Sequence, residues 1–272
     1  MPKISVIIAL HKKHWFPNLP FYQPLHVGAE GKDNIGIPGD NTGDNISLKN
    51  PDYCELTGMY WAWKNQKSDY IGFTHYRRFF DLSKSESFFL ETEFYGLNDT
   101  DRVEQHIAVK NEIVRYFKNY DIILPRASFL RYNYDTHFLK YHDTPGLQLA
   151  KQTLLELYPD YKESLSTVFN GHKIYFKNMF ICPWSVFDDY MNFLFPLLFE
   201  VEKRTKELNL PYYPRLYGYL SEYLSNVYFY HNKLRIKEVP LIFLNPEYDT
   251  RRSKKIISPR GIWARLGLIS WF

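Results

Sequence analysis

The stretch S-D-Y-I-G-F-T-H-Y-R-R-F-F-D, residues 68–81, constrains the fold more than any other. Tyr70, Ile71, Phe73 and Thr74 are strand formers behind a polar Ser68-Asp69 start. The run then breaks into His75, Tyr76, Arg77 and Arg78, with Asp81 close behind. An apolar strand that gives way to concentrated polar groups is how an open α/β sheet presents a ligand site, because ligands lie beyond the carboxyl ends of its strands. Adjacent arginines offer fork-shaped donors matched to phosphate oxygens, so this strand end is expected to hold the diphosphate of a nucleotide-sugar. The plainer alternative is an exposed basic strand end paired with Asp69 and Asp81.

Ile4-Ser5-Val6-Ile7-Ile8-Ala9 reads as a second strand, central and parallel because it is largely apolar. It follows Met1-Pro2-Lys3 directly, with no secretory pattern, and no apolar run reaches the length of a membrane span. The strand ends at His11 and Lys12, candidates for contact with a base and ribose, or else a solvated basic turn. Gly36 to Asn45 is dense in turn formers. Asp40, Asn41, Asp44 and Asn45 there either bond their own backbone or belong to a loop folding over a ligand, Asp40 and Asp44 meeting ribose hydroxyls or a cation. Asn50-Pro51-Asp52 opens a helix to about Asn65, with Tyr53, Leu56, Tyr60 and Trp63 as its packing stripe. Glu55 lies off that stripe, facing solvent or the ligand cleft.

Three blocks in this half, G-D-N-T-G-D-N-I-S (39–47), N-P-D-Y-C-E-L-T-G-M-Y-W-A-W-K-N (50–65) and Y-I-G-F-T-H-Y-R-R-F-F (70–80), occur together with K-N-M-F-I-C (177–182), F-L-F-P-L-L-F-E (193–200) and G-Y-L-S-E-Y-L-S-N-V-Y (218–228). Together they resemble a bacterial family of capsular and exopolysaccharide glycosyltransferases, long catalogued as a domain of unknown function, across roughly residues 3 to 245. The resemblance implies a single glycosyltransferase-A-like α/β domain with a mixed central sheet flanked by helices, and some relatives are linked with galactofuranose transfer. It also implies a donor-sugar or acceptor contact for Asn178, and a catalytic base for Glu222, with Glu55 and Asp81 as competitors. An inverting transfer needs one carboxylate to take the acceptor hydroxyl proton. Enzymes of that architecture commonly hold Mn²⁺ or Mg²⁺ on an Asp-any-Asp pair at this strand end, where this chain has His75-Tyr76-Arg77-Arg78. Two fixed cations could neutralise a leaving diphosphate directly, with His75 contacting phosphate or moving a proton, so a metal-independent site is expected. Asp81 and the aspartates at 40 and 44 leave room for Mg²⁺ or Mn²⁺.

Further on, residues 82–100 read as a surface loop or acceptor lid, 101–118 as a helix and 120–125 as a strand. Residues 126–143 read as a polar, aromatic acceptor loop with Arg131 and Tyr132. Residues 175–182 form an expected strand, 216–227 a helix and 234–244 a last strand. The aromatic content, 18% of the chain, suits a sugar site as well as a core. Cys54 and Cys182 make no disulfide or zinc pattern, which fits a reducing cytoplasm. Net charge is +4, yet the six Lys and Arg residues after Asp249 outweigh it, so the body is near neutral and nucleic acid is not an expected partner. The expected layout is therefore a catalytic domain, 1–249, and a basic aromatic tail, 250–272, suited to an anionic membrane surface beside a lipid-linked acceptor. A non-catalytic carbohydrate-binding or assembly protein is the alternative of another class. A phosphodiester-cleaving enzyme is weaker, for want of metal ligands to activate water.

Overall fold

A computed structural model of the chain describes residues 2–84, 86–87, 92–245, 255–256 and 262–263. In chain order its strands are β1 (Ile4–Leu10), β2 (Tyr22–His26), β3 (Tyr70–His75), β4 (Arg78–Phe80), β5 (Thr92–Tyr95), β6 (Ile122–Pro125), β7 (Ser128–Phe129), β8 (Lys173–Ile174), β9 (Phe180–Pro183), β10 (Ile236–Val239), β11 (Leu241–Leu244) and β12 (Lys255–Ile256). Its helices are α1 (Asn50–Tyr53), α2 (Leu56–Asn65), α3 (Thr100–Ile107), α4 (Lys110–Tyr116), α5 (Tyr134–Tyr141), α6 (Gly146–Leu157), α7 (Lys162–Asn170), α8 (Trp184–Glu207) and α9 (Leu216–His231).

All the strands but β7 and β8, which pair with each other, form one curled mixed sheet. β1 lies parallel to both β2 and β3, while β9 runs antiparallel between β3 and β6. β1 shows why this is the centre. Ile4, Val6, Ile8 and Leu10 enter one core with Val103, Ile107 and Ile113 of α3 and α4, and Ile7 and Ala9 enter the other, beneath α2, α8 and α9. A strand buried on both faces needs apolar side chains on both, and β1 supplies them at every position but Ser5, whose buried hydroxyl accepts from Gln23 Nε2 at 3.4 Å.

Several expected elements are divided. The helix from residue 50 breaks at Cys54, whose φ of 52° and ψ of −132° no helix allows. The helix expected over 101–118 becomes α3 and α4, and the strand over 234–244 divides at Pro240 into β10 and β11. Residues 126–143 are not all loop, since they contain β7 and α5, and β5 lies within 82–100. Of the expected tail, β12 pairs antiparallel with β5, with Lys255 opposite Glu93. The rest of the tail apart from Ile262 and Trp263 lies outside the described residues.

Candidate active site

β3 and β4 form a hairpin whose turn is only Tyr76-Arg77, so His75 and Arg78 are directly opposed. Opposed residues of an antiparallel pair share a face. Both line a cleft of about 690 Å³ beyond the carboxyl ends of β1 and β3, a size suited to a small ligand. Arg77 is turned elsewhere. Its Nε donates to the Leu244 carbonyl at 3.3 Å and its NH2 to Asn245 Oδ1 at 3.1 Å. The two arginines therefore do not form the paired clamp that their adjacency suggests, and Arg78 alone lines the cleft. Tyr76 meets the rings of His11 and His14 edge-on at 5.0 and 4.9 Å, which sets His11 into the lining.

The facing wall is a turn between β8 and β9 packed on α9. The Lys177 carbonyl accepts from His75 Nε2 at 2.7 Å, and the Lys177 N–H donates to Glu222 Oε1 at 2.7 Å. A carbonyl can only accept, so the His75 proton sits on Nε2. Asn178 Nδ2 donates to Glu55 Oε1 at 2.8 Å and to the Gly218 carbonyl at 3.2 Å, and Ser221 Oγ donates to Asn178 Oδ1 at 3.0 Å. Glu55 and Glu222, far apart in sequence, are thus held on either side of one turn. Arg215 completes the mouth, its Nε donating to Cys54 Sγ at 3.2 Å and its backbone N–H to the Pro51 carbonyl at 3.1 Å.

Backbone strain collects here. Cys54, Lys177, Asn178 and Arg215 have φ of 52°, 89°, 47° and 62°, and among the described non-glycine residues only Asn209 and Lys233 join them with positive φ. Such conformations cost on the order of 1–3 kcal/mol each and persist where the surroundings hold them, commonly at ligand sites. Gly218 eases the close approach of α9 to the Cys54 turn, since a Cβ there would lie 3.0 Å from Cys54 Sγ and press on that side chain.

The charges are tuned by burial and by one another. Burial pushes Glu222 up to about 7, Glu55 adds to the rise, and the Lys177 N–H, Lys177 charge and Arg78 oppose it. Burial lowers His75, reinforced by Arg78 and opposed by Glu55 and the Lys177 carbonyl, so its ring is neutral. Burial also lowers Arg78, against Glu222 and Glu55, yet a guanidinium remains cationic. Burial lifts Cys54 to about 11 despite Arg215, which leaves a thiol rather than a nucleophilic thiolate. The cleft therefore offers a carboxylate that exchanges its proton near neutrality, beside fixed cations.

The cleft thus brings together His11, Glu55, His75, Tyr76, Arg78 and Glu222, with Asn178 bonded to Glu55 behind its wall. Lys12 is exposed and does not line it. Asp40 is buried, accepting from the N–H groups of Gly28 and Ala29 at 2.9 and 3.0 Å and from the Ser47 hydroxyl. Asn45 bonds the Gly43 carbonyl and the Ser47 N–H. Asp44 accepts from Tyr60, and Asn41 is exposed. Of the four, only Asn45 bonds its own turn, while Asp40 and Asp44 tie the loop to residues 28–29 and to α2, and none of them lines the cleft. Arg131 lies over the Tyr132 ring at 5.5 Å, also outside the lining.

Asp81 is fully buried elsewhere, with Glu93 and His106; ligand atoms of the three lie within 4.8 Å of one another and could hold a metal ion. Lys84 bonds Glu93 and stands 4.0 Å from Asp81, so one ammonium already offsets part of the charge of the two carboxylates. Asp81 accordingly answers to this cluster rather than to the cleft. Sequence reasoning missed Cys54, Lys177 and Arg215 as cleft residues. Their signal is backbone conformation, which residue types other than glycine do not advertise.

A family model described as a domain of unknown function, DUF4422, matches residues 5–233. The fold is similar to the apo structure of the bifunctional glycosyltransferase WbbM, with a TM-score of 0.80 and 31% identity over 91% of this chain. The chain spans about half of that protein, 48% of its length. No curated protein matches the chain.

Proposed function

The chain belongs to the DUF4422 family, and we propose that it is a glycosyltransferase moving a sugar from a uridine diphosphate donor to a lipid-linked or growing capsular, exo- or O-polysaccharide. Galactofuranose or galactose is the sugar that the motif resemblance favours. The observation that carries the reading is the placement of Glu222, with its carboxyl near 7, across one cleft from Arg78 and His75 at the carboxyl end of β3. In this reading the diphosphate lies against Arg78, with Arg215 and Lys177 on the facing wall. Glu222 takes the proton from the acceptor hydroxyl as its oxygen attacks the anomeric carbon, and the diphosphate departs with the bonding pair. Asn178 fixes Glu55 beside the sugar. Positioning and fixed charge supply the catalysis. The Asp81–Glu93–His106 group has ligands of the right kind for a divalent ion, but no step here passes through it. Peripheral membrane attachment through residues 250–272 belongs to the same proposal, and no described helix is long and apolar enough to cross a membrane.

The test is calorimetric titration with uridine diphosphate, with and without Mn²⁺, on the wild type and Arg78→Ala. Binding that needs no metal and falls at least about tenfold in the variant is expected, since a charge-assisted hydrogen bond is lost. Absence of binding to the folded wild type in both conditions would overturn the reading.

A further inference from the structure

We propose that an aromatic shelf on α5 and the start of α9 is the seat of an extended carbohydrate acceptor, whose sugars behind the reacting one lie across it. The proposal rests on the glycosyltransferase reading of the cleft. Two rows of rings lead outward from the cleft lining. In one, Phe176 on the cleft wall meets His137 at 5.7 Å and His137 meets Tyr141 at 4.8 Å. In the other, the Arg215 guanidinium lies over Tyr219 at 5.3 Å and Tyr219 meets His142 at 4.3 Å. The rows belong to one surface, because α5 packs against α9 through Phe138 and Tyr223, whose rings are 5.1 Å apart.

Three features select a sugar as the occupant. Tyr141 leaves 61% of its surface open, with its ring beside one that reaches the cleft wall. The histidines are fixed in orientation, His137 Nδ1 by the Tyr223 hydroxyl at 2.6 Å and His142 Nδ1 by that of Tyr213 at 3.1 Å. Both are kept neutral by burial, His137 further by Lys140 and His142 by His137. A row of oriented, uncharged rings with polar rims accommodates a ligand that has apolar faces and hydroxyl edges, which describes a pyranose or furanose chain. Continuity with the cleft places the shelf behind Glu222, where the body of an acceptor must pass.

The experiment uses the full chain and a panel of galactose, glucose and mannose tetrasaccharides, read by saturation-transfer NMR, with uridine diphosphate calorimetry on the same samples. The wild type is expected to bind at least one tetrasaccharide. Tyr141→Ala should weaken that binding about tenfold, equivalent to about 1.4 kcal/mol. Tyr141→Trp should keep it, and neither change should alter nucleotide affinity. Tyr141 is exposed, so both variants should fold, and thermal melting verifies this. Tetrasaccharide binding unchanged in Tyr141→Ala overturns the shelf. So does a wild type that binds the nucleotide but no tetrasaccharide, which leaves the cleft reading standing. A chain that binds neither overturns both.

Discussion

At the scale of residues, the proposed chemistry turns on Glu222. Glu222→Gln keeps an oxygen for the Lys177 N–H but cannot take a proton, so transfer should fall about 10²- to 10⁴-fold while nucleotide affinity is retained. Steady-state rates and calorimetry on the same variant check this. In the wild type, kcat/KM should rise with pH through about 7 as Glu222 deprotonates and becomes a base. Stability moves the opposite way. A carboxyl held above its unfolded value binds more protons folded than unfolded, so stability declines as pH rises from the unfolded value towards about 7. Glu222→Gln should therefore raise the melting temperature more at pH 8 than at pH 4. Arg77 and Arg78 make a sharper contrast, since adjacency in sequence suggests one role and the hairpin gives two. Arg77→Ala is expected to lower stability by about 1 kcal/mol through lost bonds to Leu244 and Asn245. It should leave uridine diphosphate binding near wild type, whereas Arg78→Ala should not; denaturant titration and calorimetry separate them.

The elements that the sequence makes plain are those with a clear period or an unbroken apolar run. β1, β3, α2 and α9 fall into this group because burial dictates their residues. The β3–β4 hairpin is hidden, for its turn is Tyr76-Arg77 with none of the Gly, Asn or Asp that favoured two-residue turns display. The turn at Lys177-Asn178 is hidden too, and a strand expected over 175–182 shortens to β9. Without those two turns, sequence reasoning can collect His75, Arg78, Glu55, Asn178 and Glu222 as candidates but cannot say that they meet. Nor can it tell that Asp40 and Asp81 serve buried networks of their own. The break between α1 and α2 allows a direct test of strain. Cys54 there has a backbone that glycine adopts freely, so Cys54→Gly should raise stability by about 1 kcal/mol in urea denaturation. It also removes the sulfur that holds Arg215, and nucleotide binding should weaken.

For the whole molecule, the mixed sheet is a scaffold packed on both faces, with the candidate site beyond the carboxyl ends of β1 and β3. The tail is where its boundary is decided. Removal of residues 251–272 takes away β12, which covers the edge of β5, so the truncated chain should self-associate more readily in light scattering. If the tail also attaches the protein to membranes, the same truncation loses flotation with anionic vesicles, and unchanged flotation would refute that attachment. The wall opposite the hairpin has a further effect. Arg78 and Lys177 hold down the affinity of Glu222 for hydrogen ions, and a diphosphate laid against Arg78 would consume part of that restraint. Nucleotide capture near pH 7 should then draw protons from the buffer. The heat of binding should vary with the ionisation enthalpy of that buffer, and Glu222→Gln should abolish the dependence.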